Sequence, residues 1–306
     1  MTTAQINNVF PPVSGPAGIN GKTIGISISE SENLQDFGFG DVHLQDAAVE
    51  FARYLLAGGA KLAYGGDLRI KSFTDILFEL VSNHNKSGLK PFQSIESYLA
   101  WPLHLNLTTA QKAEYNLTAN FHAVPPPDFL NIANPNTYIN PDTSDNRYIW
   151  SHCLTAMREE INSNVNARLL LGGKMHGYTG KYPGLLEEAY LALNSGKPLY
   201  LIGGFGGCAR AVIDALKGGT PAAFTDADQM GNDVYKQMVA IYNEKEAEKS
   251  LAEQSPINYD GMVAFLHGKG VGALNNGLDA DENERLFCTP HIPEMVALVL
   301  KGLKRI

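Results

Sequence analysis

The chain has 306 residues, 44% hydrophobic and 18% charged, a composition that fits a soluble globular protein long enough to bury a full core. Its 24 basic and 32 acidic residues leave a net charge of −8 with no basic stripe, so the electrostatic footprint of a nucleic-acid binder is missing. Three scattered cysteines, Cys153, Cys208 and Cys288, make neither a disulfide framework nor a zinc pattern; with no cationic leader and no apolar run of membrane-spanning length, the expected setting is a reducing cytoplasm, away from any membrane.

In chain order, residues 1–21 read as a Pro/Gly-bearing arm, either flexible or draped over a neighbour, and residues 22–306 as one α/β unit ending in a helical extension from about residue 226. Lys22 to Ser29 (KTIGISIS) is a short apolar strand that leaves Ser29 and Glu30 at its carboxyl end. A helix follows over His43 to Ala57, where Leu44, Ala47, Ala48, Phe51 and Leu55 recur at helical spacing before the stop at Gly58-Gly59. Lys61 to Tyr64 is the next strand, delivering Gly65, Gly66 and Asp67, and Phe73 to Asn83 the next helix. Strand–helix–strand crossovers of this kind imply a Rossmann-like, doubly wound parallel sheet with helices on both faces. The region 87–144 carries weaker signals. Ser97 to Leu103 fits a third strand, Thr108 to Tyr115 a short helix, and the Asn- and Pro-rich Asn131 to Thr143 a loop, which at this length is either a lid or disordered.

The pattern sharpens again with a helix from Arg147 to about Ser163, whose apolar side carries Tyr148, Cys153, Leu154 and Met157. It leads into ARLLLGGKMHGYTGKYPGLLEE (Ala167 to Glu188): a buried strand, a loop holding Gly172, Gly173, Lys174, His176 and Lys181, and a helix opening at Pro183-Gly184. A glycine loop between strand and helix leaves backbone N–H groups and a positive helix end free to hold an anion. Glu187 and Glu188 in the first turn either compensate the helix dipole or face a ligand. Next come a strand, Pro198 to Ile202, the run Gly203-Gly204-Phe205-Gly206-Gly207, and a helix from Cys208 to Leu216; a lone cysteine there is small packing rather than a nucleophile. Three strand ends thus carry a glycine pair, at the carboxyl edge where open parallel sheets bind their ligands. A helical stretch from Ala227 to Ala252 and two short helices within Asp281 to Leu303, separated near Thr289-Pro290, complete the chain; Met295, Val296, Leu298, Val299 and Leu300 offer packing or oligomer surface.

The order of strand, small polar loop and helix, then YGGD (Tyr64 to Asp67), a helix bearing Met157-Arg158, LGG (Leu171 to Gly173) and PGLLEE (Pro183 to Glu188), resembles the SLOG superfamily. That group includes the LOG-type cytokinin-activating phosphoribohydrolases and the Smf/DprA-type proteins; within it the chain looks most like the STALD branch, associated with sirtuin-like and TIR domains in bacterial antiviral systems. The resemblance covers residues 22 to 217 and implies a ligand of the ADP-ribose or nucleotide class, homo-oligomers of dimer size or larger, and no further cofactor. No NAD-consuming domain fits in the chain, so either an effector is a separate protein or this is a stand-alone member.

Residue by residue, the resemblance places the arginine and final glutamate of the LOG-type hydrolases at Arg158 and Glu188. In that role the glutamate would stabilise an oxocarbenium-like centre and the arginine pin a phosphate, cleaving a base from a ribose phosphate. Both residues serve equally for binding alone, and Arg158 also fits a helix-end or ion-pair role. Two departures favour binding. The compact PGGxGT turn is interrupted by Lys174 to Tyr182, and the third glycine of YGGG is Asp67, whose carboxylate would repel a phosphate by about 4 kcal/mol at about 4 Å in a surface-like dielectric. Asp67 then suits ribose hydroxyls or a pair with Arg69. Lys174 and Lys181 are either solvated loop charges or the counter-charge for a diphosphate, His176 a loop residue able to stack on a base, and Ser29 with Glu30 either turn or ligand groups. The reading is a sensor of an NAD-derived nucleotide, ADP-ribose or a cyclic relative, with LOG-like N-glycosidase activity as the alternative.

Overall fold

The computed structural model describes residues 18–66, 73–86 and 94–306. Its strands are β1 (Thr23–Ser29), β2 (Lys61–Gly65), β3 (Ile95–Ala100), β4 (Ala119–Val124), β5 (Ala167–Gly172) and β6 (Leu199–Ile202). They form one sheet in the order β4-β3-β2-β1-β5-β6 with every neighbouring pair parallel. The helices are α1 (Asp41–Ala57), α2 (Phe73–Lys86), α3 (Thr109–Tyr115), α4 (Ser144–Asn164), α5 (Gly184–Asn194) and α6 (Gly207–Leu216). They continue as α7 (Asp226–Gln229), α8 (Asp233–Ala247), α9 (Tyr259–Lys269), α10 (Ala280–Cys288) and α11 (Ile292–Leu303). This is the Rossmann-like α/β arrangement expected from the crossovers.

Alternation along the central strands decides which helices cover which face. Ile24, Ile26 and Ile28 of β1 and Leu169 and Leu171 of β5 share a core with the stripe Leu44, Ala48, Phe51 and Leu55 of α1 and with Met295, Val299 and Leu303 of α11. On the opposite face Leu170 of β5 packs with α5, α6 and α9, through residues such as Leu186, Val212 and Leu266. Every residue of β5 is buried, as a strand covered on both faces requires.

Several sequence expectations are refined. The helix expected from Arg147 begins at Ser144, because the Thr143 hydroxyl accepts from the Asn146 amide at 3.1 Å. The stretch 227–252 is two helices: Met230 and Gly231 end α7, and Asn232 caps α8 by accepting from Tyr235 N at 3.0 Å. Strand β4 and helix α9 carried no recognised signal. In β4 an edge position lets the polar Asn120 and His122 interrupt the apolar run. Four of the residues offered as oligomer surface, Met295, Val296, Leu298 and Val299, lie inside the chain's own core.

Gly203 and Gly204, expected at a ligand, serve packing. A Cβ on Gly203 would meet the Phe287 carbonyl oxygen at 2.3 Å, and one on Gly204 the Thr289 carbonyl oxygen at 2.3 Å. The end of α10 therefore rests directly on the exit of β6. Gly203→Ala is expected to destabilise the protein by about 1–3 kcal/mol through overpacking, read as a lower urea midpoint with unchanged slope; wild-type stability would show that this contact is not tight.

Candidate functional site

The sheet turns around between β1 and β5. From β1 the chain builds outward through β2, β3 and β4, then crosses back along α4 to enter β5 on the other side of β1. Ser29 pairs with Gly172 in register at the carboxyl edge, and the two strands leave in opposite directions, to α1 on one face and to α5 on the other. Such a switch point opens a crevice at the strand ends.

The crest of that crevice is built from backbone. Gly172 and Gly173 have φ values of 64° and 100°, a left-handed region where glycine is favoured. A Cβ would strike Ser29 O at 2.8 Å from Gly172 and Leu185 Cδ2 at 2.6 Å from Gly173. This turn lets Gly173 N donate to Ser29 O at 3.0 Å and Lys174 N to Ser29 Oγ at 3.1 Å. The Lys174 ammonium reaches Glu30 at 2.8 Å, both side chains largely exposed, a pairing of the weak, exchangeable kind. Ser29, Glu30, Gly172, Gly173 and Lys174 are thus brought together.

Beside them lies a bridge that sequence reasoning missed. Glu32 accepts from the backbone of Met175 at 3.0 Å and of His176 at 2.7 Å, and from the His176 ring Nδ1 at 2.7 Å; the other ring nitrogen, Nε2, meets Asp228 on α7 at 2.7 Å. Burial works against a charged imidazole here, but the hydrogen bonds and charges of Asp228 and Glu32 outweigh it and raise the His176 pKa above its ordinary value. Burial likewise opposes ionisation of Glu32 and is outweighed by His176, so its carboxyl is held below the usual range. The signal available in sequence was a histidine in a glycine loop with acids elsewhere, too common to single out. Next to Glu32, Asn33 Oδ1 accepts from Gly207 N at 2.8 Å, and Gly173 O accepts from Cys208 N at 2.9 Å, so the start of α6 is already answered by protein. The Cys208 thiol is fully buried and pushed up by that burial, consistent with packing.

Arg158, Gly184 and Glu188 form a different cluster, beneath α4 and α5. The odd residues of β1 on this face, Gly25, Ser27 and Ser29, are small, and the room they leave is taken by Arg168, 1% exposed and reaching from β5. Arg168 Nη1 donates to Glu188 at 2.7 Å, Nη2 to the Arg158 carbonyl at 2.8 Å and Nε to Asn162 Oδ1 at 3.2 Å. The Ser27 hydroxyl also donates to Glu188. Burial pushes the Arg168 guanidinium below its ordinary value, with Glu188 opposing the shift. Arg158 pairs with Glu187, which also accepts from the Thr155 hydroxyl, and stands 3.6 Å from Glu188. Gly180 and Gly184 leave space for its guanidinium: Cβ atoms there would lie 3.1 and 3.0 Å from its terminal nitrogens. A single arginine in the otherwise apolar ARLLLG was the readable sign of this network, since a buried guanidinium demands a carboxylate.

The remaining expected residues lie elsewhere. Lys181 reaches Ser255 Oγ at 3.4 Å over a groove lined by His152, Glu159 and Tyr242, whereas Lys174 pairs with Glu30 at the crest; the two lysines have different partners. Gly65 packs under α4, where a Cβ would meet Ile161 Cδ1 at 2.6 Å. Phe205 is fully buried against Phe39, their rings 5.1 Å apart. Gly66 is half-buried where the described chain pauses, and Asp67 and Arg69 lie outside the described residues.

A doubly wound parallel sheet with a glycine crest at its switch point defines a Rossmann-like protein of the kind that holds small ligands at that edge. The chain belongs to the SLOG cluster2 family, whose model matches residues 18–286. Membership of the SLOG group supports nucleotide-related binding or processing. No curated protein matches the chain. Among the described residues, no helix is long and apolar enough to cross a membrane.

Two outcomes are expected. Arg168→Met strands Glu188 in the interior and should cost about 3–5 kcal/mol in denaturant unfolding, much of it recovered by adding Glu188→Leu. For His176, whose folded pKa is raised, the stabilising contribution is fully present below the unfolded value of 6.5 and lost as pH rises through the higher folded value. The fall in Tm with rising pH across that window should therefore flatten in His176→Gln; an unchanged slope would mean the bridge adds nothing.

Proposed function

We propose that this protein binds an NAD-derived nucleotide of the ADP-ribose or cyclic ADP-ribose type at the β1–β5 switch point, as the sensing component of a bacterial antiviral system that acts through a separate effector. The class of ligand rests on SLOG membership, and the NAD-derived signal and antiviral setting on the likeness to the STALD branch. One observation carries binding over cleavage. The pair that would act in a LOG-type hydrolase is engaged within the protein: Glu188 is held by Ser27 and Arg168, and Arg158 by Glu187. A carboxylate occupied in this way is not presented to a glycosidic bond. At the crest, by contrast, the Lys174 ammonium is held among the described residues by an exposed pair with Glu30, which an incoming diphosphate can replace with a charge-assisted bond.

Native mass spectrometry of the protein with NAD, ADP-ribose, cyclic ADP-ribose and AMP tests the reading. An ADP-ribose-type nucleotide should be retained intact, and Lys174→Ala should weaken retention about tenfold, the scale of one hydrogen bond to a charged group. Release of free base and ribose phosphate by the wild-type protein, abolished in Glu188→Ala, would make it a glycosidase and overturn the proposal.

A further inference from the structure

Arg147 stands out because none of the described residues pairs with its charge. Among the described residues it has no carboxylate within 4.0 Å, and its Nε is buried without a hydrogen-bond partner. Arginine is kept inside proteins when its planar fork meets an acceptor, and a half-buried fork left unmatched is costly. Helix stability does not account for it either: Arg147 lies in the N-terminal part of α4, its amide bonded to Thr143 O at 2.9 Å, where a cation opposes the helix dipole. The acid nearest in sequence, Asp145, is paired with Lys245 at 3.0 Å.

Arg147 borders a cavity of about 160 Å³, shared with His176, Gly177, Tyr178, Gln229, Asn232, Val234 and Tyr235. Among the described residues no carboxylate lines it. Glu32 and Asp228 hold the two nitrogens of the His176 ring, which fixes that ring at the cavity wall. Asn232 uses its Oδ1 to cap α8 and has its Nδ2 left as a donor. The Gln229 and Tyr178 groups are bonded to one another at 2.8 Å, and Tyr235 to Lys181 O, so the donors left for a ligand are the Arg147 fork and the Asn232 amide. At roughly 30 Å³ of liquid per water, the cavity has room for about five waters, or for one tetrahedral oxyanion with its remaining hydration.

We propose that this cavity is an oxyanion subsite that takes a phosphomonoester group, gripped by the Arg147 fork with Asn232 as second donor. A guanidinium fork and a neighbouring amide donor, with no acid lining the cavity among the described residues, suit the several oxygens of a phosphate. The subsite is independent of whether the crest binds a nucleotide. It is joined to the crest by the short loop from Lys174 to His176, so a ligand carrying a terminal phosphate can engage both.

Phosphorus NMR and calorimetry with inorganic phosphate on the whole protein test the assignment. Saturable binding is expected, weakened about ten- to a hundredfold in Arg147→Gln, the range for lost charge-assisted bonds. Arg147→Lys should lose part of the affinity because it keeps charge without the fork, and its unaltered Tm in phosphate-free buffer confirms an intact fold. No saturable binding, or equal binding by Arg147→Gln, overturns the proposal. Loss of phosphate binding in Lys174→Ala but not in Arg147→Gln would place the anion at the crest, refuting this subsite while leaving the nucleotide reading standing.

Discussion

A guanidinium buried to 1% exposure is the constraint around which this fold is arranged. Arg168 sits in the middle layer of the molecule, where an isolated charge would carry a prohibitive desolvation penalty. Each of its three nitrogens has a partner: Glu188 from α5, the Arg158 carbonyl from α4 and Asn162 further along the same helix. Those bonds fix how α4 and α5 sit over β1 and β5. They also explain the small residues Gly25 and Ser27 on β1, because larger side chains would fill the space the network needs. A glycine at position 184 suits the neighbouring arginine, since the Arg158 guanidinium lies against it, 3.0 Å from where a Cβ would stand.

This arrangement changes the meaning of the acidic pair at the start of α5. In a hydrolase of the LOG type the equivalent glutamate is a reacting group, whereas here Glu187 and Glu188 are both turned inward, 2% and 8% exposed, and each is matched to an arginine. The ionic network is built into the interior below the strand ends, whereas the Lys174–Glu30 pair at the crest lies exposed. Rigid support beneath mobile contacts is what a ligand-reading site needs.

Much of the architecture was legible because periodicity and punctuation agree. The strand KTIGISIS, the stripe of α1 and the three glycine pairs place four of the sheet's strands and its carboxyl edge. The site was legible only in part. Glycine pairs report close backbone approach without saying to what: Gly172 and Gly173 shape the crest, while Gly203 and Gly204 make way for the carbonyls of Phe287 and Thr289, a contact between segments far apart in sequence. Glu32, His176 and Asp228 meet across three separate segments, so no local pattern announces them. Arg147 looked like an ordinary first residue of an amphipathic helix, and only the absence of a partner in three dimensions sets it apart.

The hydrogen bonds at the crest run in series. Ser29 O accepts from Gly173 N, and Gly173 O accepts from Cys208 N, so the exits of β1 and β5 and the start of α6 are linked like coupled carriages. Gly207 sits so close to this line that a Cβ would lie 2.7 Å from both Gly172 C and Gly173 O, leaving no slack. Moving the Gly172-Gly173 turn therefore means breaking its bond to the start of α6 or dragging that helix along. Helix α9 packs on the far side of α6. The sheet edge is thereby tied to that helical surface through two hydrogen bonds in series.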